Sequence, residues 1–150
     1  MIEQLITSFI ASAAFGMIFN APRKSLVKCG FVGMLGWIIY YVMVESRYDT
    51  VFSTVVASFV IAVTGQVFSK IYKTPVIIFS VAGVIPLVPG GMAYDAMRNF
   101  VQNNYDLALS LAAKAFMVSG SIAIGLVFSE VINQAIRQTQ LNRLNKERGR

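Results

Sequence analysis

Residues 75–100 read PVIIFSVAGVIPLVPGGMAYDAMRNF. Pro75 suits a helix start, because its missing N–H falls where no intrahelical partner exists, and Thr74 before it is a capping residue type. The helix then fails early. Pro86 and Pro89 carry no N–H and clash with the preceding turn, and Gly90-Gly91 frees the backbone, so the piece from Pro75 to Ile85 rises only ~16 Å. That is about half of the ~30 Å of hydrocarbon in a bilayer. The stretch is expected to be one membrane segment broken at Pro86-Gly91, with Gly91 to about Phe100 completing it as a second half-helix. This places Tyr94, Asp95 and Arg98 within the membrane thickness.

The flanking sequence supports a membrane setting. Four further apolar runs cover Leu5–Phe19, Leu26–Val44, Val51–Phe68 and Leu107–Ile132; the first is short and the other three reach the ~20 residues a crossing needs. Across the 150 residues, 56% are hydrophobic and 13% charged, too few charges for an ordinary soluble domain at roughly 25%. The fold class expected is an all-α integral membrane protein of five transmembrane helices, residues 1–133. A basic amphipathic cytoplasmic tail, 134–150, follows.

Charge placement gives an orientation. Lys and Arg number 0, 3, 1, 2, 1 and 5 in the successive segments from the N-terminus to the tail, with Lys28 at the flank of the second run counted to the first loop. Cytoplasmic segments carry the excess, so the alternation requires all five runs to cross, with the N-terminus outside and the C-terminus inside. Tyr40, Tyr41 and Tyr48 at one level and Tyr72 at the other fit interfacial belts. Ala11-Ser12-Ala13 resembles a signal-peptide cleavage site, but the acidic Met1-Ile2-Glu3-Gln4 is the wrong n-region for one. Net charge is +6, yet it lies in short patches between apolar runs, which fits a membrane and not nucleic acid.

Small residues form stripes: Ser8, Ser12 and Gly16; Cys29 with Gly33; Thr54, Ser58, Ala62 and Gly65. Such faces let helix backbones approach in lipid, where no hydrophobic drive brings helices together. With no His and a single cysteine, Cys29, neither a metal site nor an enzyme is expected, and no cofactor is implied.

The candidate binding chemistry centres on the break. Free N–H groups on Gly90, Gly91 and Met92 sit at the positive end of the second half-helix, where a carboxylate is favoured and glycine permits close approach. Discontinuous helices form substrate sites in secondary transporters. Lys114 and Ser121 share one face of the fifth run with Ser110 and Gly125. A lysine some two turns inside a membrane helix is expected to face a cavity, pair with Asp95 or snorkel. The candidate site or pathway residues are thus Pro86, Pro89, Gly90, Gly91, Tyr94, Asp95, Lys114 and Ser121.

The stretch Gly83-Val84-Ile85-Pro86-Leu87-Val88-Pro89-Gly90-Gly91-Met92-Ala93-Tyr94, with its P-x-x-P-G core, resembles the threonine/serine exporter family. The layout of five runs is similar to its small-subunit, YjjB-like type. The resemblance implies a multi-pass protein of a bacterial inner membrane that exports small carboxylate-bearing metabolites, threonine or serine or dicarboxylates such as succinate. It also implies a larger YjjP-like partner subunit. A homo-oligomeric channel or transporter working alone, and a non-transporting membrane scaffold, are the alternatives the residues leave open.

Overall fold

The computed structural model describes residues 2–148, and side chains through residue 139. All regular elements among the described residues are helical: α1 (Ile2–Ile18), α2 (Arg23–Glu45), α3 (Thr50–Tyr72), α4 (Val76–Val84), a single 3-10 turn (Ile85–Leu87), α5 (Gly90–Val101) and α6 (Tyr105–Arg148). Three of them, α2, α3 and α6, are individually long and apolar enough to cross a membrane. The pair Val76–Leu87 and Gly90–Val101, bent by 47°, makes a fourth candidate span. At 17 residues, α1 rises ~25 Å and falls short of full hydrocarbon thickness.

Local chemistry sets the boundaries. Asp49 caps α3, its Oδ2 accepting from the backbone N–H of Val51 at 2.9 Å and Phe52 at 3.4 Å. Thr74 does not cap α4 as expected. Pro75 itself is the N-cap, and the Thr74 hydroxyl turns back to the Tyr72 carbonyl at 3.2 Å. Helices α1, α2, α3 and α5 all finish in the same way, with Asn20, Arg47, Lys73 and Asn103 in the left-handed region at φ between 51° and 64°. In each case the next residue's N–H returns to the carbonyl five positions back: Ala21 to Gly16, Tyr48 to Met43, Thr74 to Ser69 and Asn104 to Asn99. That is the Schellman closure, here built without glycine.

Small residues let the helices close on one another. The buried positions of α1 are Ser8, Ser12 and Gly16, the expected stripe. An added Cβ on Gly33 would strike the Ser12 side chain, and one on Gly83 would come within 2.8 Å of both Ile61 and Val32. Helix α4 thus runs up the middle of α1, α2 and α3, and its buried Phe79 packs edge-on against Phe68 at 5.9 Å. Leu87, at the break, is buried with Val32, Ala57, Ile61 and Ile122, so the chain breaks at the level of the middle of α3.

Helix α6 adds Ile122 to this core and packs on α3 and α5. Ser58 Oγ donates to the Ser121 carbonyl, Gln66 Nε2 to Glu130 Oε2 and Lys70 Nζ to Asn133 Oδ1, pairs separated by 63, 64 and 63 positions. The constant offset makes α3 and α6 parallel and in register. Past residue 133, where the tail is expected to begin, α6 continues as helix to Arg148. Reading its side chains as amphipathic concerns mostly residues beyond the described ones.

Candidate functional site

Pro86 and Pro89 break the fourth segment as the sequence requires. The 3-10 turn closes with the Val88 N–H on the Ile85 carbonyl at 3.2 Å, and Gly90 N–H turns back to Val88 O at 2.8 Å. In α5 the first helical bond runs from Ala93 N–H to Pro89 O at 3.0 Å, which leaves the N–H groups of Gly91 and Met92 without a backbone acceptor. Gly90 and Gly91 are exposed, and a Cβ built on either meets nothing within 4 Å. Among the described residues no glycine has positive φ, so the requirement here is open space and not an unusual backbone conformation.

The break opens into a groove of about 720 Å³ between α5 and α6. Val88, Pro89 and Gly90 form one end, Phe100 and Tyr105 the other, and Ala93, Ala96, Ala108, Ala112 and Ala115 the floor. Phe116 and Ser119 complete the α6 side. Volume falls within the ~300–1,000 Å³ of ligand sites, but the lining is nearly all carbon. Polar contacts on offer are the Ser119 and Tyr105 hydroxyls and the free N–H groups at the break. Because α5 packs on α6 and on little else, the groove has a floor and two sides but no roof among the described residues. The sequence carried a signal for its floor that periodicity exposes: Ala108, Ala112, Ala115 and Ser119 recur at heptad-like spacing.

Other candidate residues lie apart from the groove. Tyr94, Asp95 and Lys114 are all exposed and none lines it. The α3–α6 register brings Lys114 level with Val51, in the first turn of α3, about two and a half turns after α6 begins at Tyr105. Its position continues the stripe of Ser121 and Gly125 to the level where α3 begins, and its side chain is exposed there. The α5–α6 hairpin carries Asp95 toward the same end of the bundle, since Phe100 packs edge-on against Tyr105 at 5.3 Å and the groove aligns the helices antiparallel. Ser121 is 2% exposed and belongs to the α3–α6 contact: its hydroxyl bonds Met117 O and its carbonyl accepts from Ser58. There it lets the helices touch, because a Cβ on Gly125 beside it would lie 2.7 Å from the Val55 carbonyl.

Glu130 is likewise exposed and accepts from the amides of Gln66 and Gln134 at 3.3 and 3.1 Å. Among the described residues no group of three or more His, Cys, Asp or Glu side chains could hold a metal ion.

No solved structure matches this chain. A family model described as "Threonine/Serine exporter, ThrE" matches residues 4–132, which takes in every helix of the bundle, the proline-glycine break and the groove beside it. A multi-pass helical architecture built around that break and a match over most of its length therefore place the chain in the threonine/serine exporter family.

Proposed function

We propose that the protein is one half of a secondary exporter for small carboxylate-bearing metabolites, threonine or serine or dicarboxylates such as succinate. The observation carrying this is the break itself: two free N–H groups at the start of α5, next to glycines with open space above them, in a chain of an exporter family. Such a terminus favours a carboxylate. The groove beside it is carbon-lined and open along one side, so a complete pathway needs a wall from outside this chain. A larger YjjP-like subunit supplies that wall in this reading.

In the same reading all five runs cross a bacterial inner membrane, N-terminus outside and C-terminus inside. The cations Arg23, Lys24, Lys28, Lys70 and Lys73 gather at one end of the bundle, and Glu3, Glu45 and Asp49 point to the other, which supports that orientation. Helix α1, though short, lies against α2 and α4 with its polar start bonded to α2, Gln4 Oε1 accepting from Trp37 Nε1 at 2.8 Å. Measuring substrate efflux from cells that hold this chain alone, the larger subunit alone, and both tests the reading. Efflux only with both is expected. Full efflux from this chain alone would favour the homo-oligomeric transporter, and none in any combination the scaffold.

A further inference from the structure

The end of the bundle where α2 starts and α3 stops brings together five cations of these two helices: Arg23, Lys24 and Lys28 on α2, Lys70 on α3, and Lys73 at its left-handed C-cap; Arg137 of α6 comes level with Thr74 beside them. Two of them are engaged. Lys28 Nζ sits 3.1 Å from the centroid of the Tyr72 ring, and Lys70 donates to Asn133. Arg23, Lys24 and Lys73 are exposed. Among the described side chains no acid stands with them. Glu3, Glu45 and Asp49 lie at the far end, Asp95 and Asp106 on the α5–α6 hairpin, and Glu130 sits level with Gln66, more than a turn up α3 from Tyr72, with its oxygens taken by amides.

Crowded like charges without an internal partner repel one another and attract an anion. The surroundings decide which anion. Directly alongside are exposed apolar side chains, Val27 at 67% exposure on α2 and Ile71 at 62% on α3, so the cations form a rim over a carbon surface. A free phosphate uses the rim alone. A phospholipid uses both, its headgroup against the cations and its acyl chains along the apolar flank. We propose that this rim binds an anionic phospholipid, the phosphate held by Arg23, Lys24 and Lys73 and the chains lying against Val27 and Ile71. The Lys28–Tyr72 contact joins α2 to α3 beneath the headgroup and keeps the rim together. The assignment is independent of what the groove at the other half of the bundle carries.

The test is a titration of the purified full-length chain in a zwitterionic detergent, reading melting temperature and native-mass lipid adducts. Phosphatidylglycerol, phosphatidylcholine and inorganic phosphate are the three probes. Phosphatidylglycerol is expected to raise the melting temperature and form a discrete adduct, with phosphatidylcholine and phosphate doing neither. Arg23→Gln, Lys24→Gln and Lys73→Asn should each weaken the phosphatidylglycerol response about fivefold. Asparagine tolerates the left-handed backbone at position 73, and all three side chains are exposed, so the fold is kept. An equal response to phosphatidylcholine would assign the effect to acyl chains, an equal response to phosphate would assign it to a free anion, and an unchanged affinity in the triple variant would remove the rim from binding. Each of these overturns the proposal.

Discussion

Two glycine substitutions on neighbouring helices should give opposite results, and the contrast tests how the chain is divided between scaffold and pathway. At Gly125 an added Cβ meets Ser58 Oγ, the Val55 carbonyl at 2.7 Å and the Phe59 nitrogen at 2.9 Å. Two of those three atoms are α3 backbone, so α6 has to move away, and Gly125→Ala should cost about 1–3 kcal/mol as overpacking does. At Gly91 nothing lies within 4 Å and φ is not positive, so Gly91→Ala should leave stability unchanged or raise it by up to about 1 kcal/mol through the unfolded state. Gly91→Val fits the same space but shields the Gly91 and Met92 N–H groups with a β-branched side chain. Unfolding of the purified variants in mixed detergent micelles gives the stabilities, and efflux at matched protein levels gives the function. Gly125→Ala should be unstable, whereas Gly91→Val should be stable and deficient in efflux. Normal efflux in Gly91→Val would show that the break is a kink and that substrate passes elsewhere. Destabilisation by Gly91→Ala comparable to that by Gly125→Ala would refute the open geometry at the start of α5.

Single cysteines at Asp49 and Asn103, in a Cys29→Ser background, should react with an impermeant reagent from outside, and cysteines at Lys24 or Arg143 should not; labelling of Lys24 from outside would reverse the orientation. Asp49→Ala should lower stability by about 1 kcal/mol, because the carboxylate is the side-chain cap of α3; unfolding as for the glycine pair measures it, and an unchanged midpoint would mean that water replaces the cap without loss. Lys114→Met and Asp95→Asn should leave the isolated chain's stability within about 0.5 kcal/mol, since both side chains are exposed. If a partner covers that surface, the same variants should weaken co-purification of the larger subunit, and unaltered recovery of the complex would place both residues outside the interface.

Features that depend on local rules are legible in the residues alone. Pro86, Pro89, Gly90 and Gly91 dictate a break, because a residue without an N–H cannot sustain the helical ladder whatever surrounds it. The packing stripes were legible for the same kind of reason: Ser8, Ser12 and Gly16 fall on one face by periodicity alone, and all three are buried. Helix ends were harder to read, since Arg47 and Lys73 adopt left-handed closures that glycine usually marks. The level of one helix against another is set by tertiary contacts. Position along α6 puts Lys114 two turns deep but does not say where α3 begins; the pairing of Ser58 with Ser121 and Lys70 with Asn133 sets it level with the first turn of α3. The repeat of Ala108, Ala112, Ala115 and Ser119 marks the groove's floor in the sequence, but its concavity does not show there, because its walls come from two helices joined by the hairpin at Gln102–Asn104. Periodicity assigns faces; only contact between helices assigns depth and concavity.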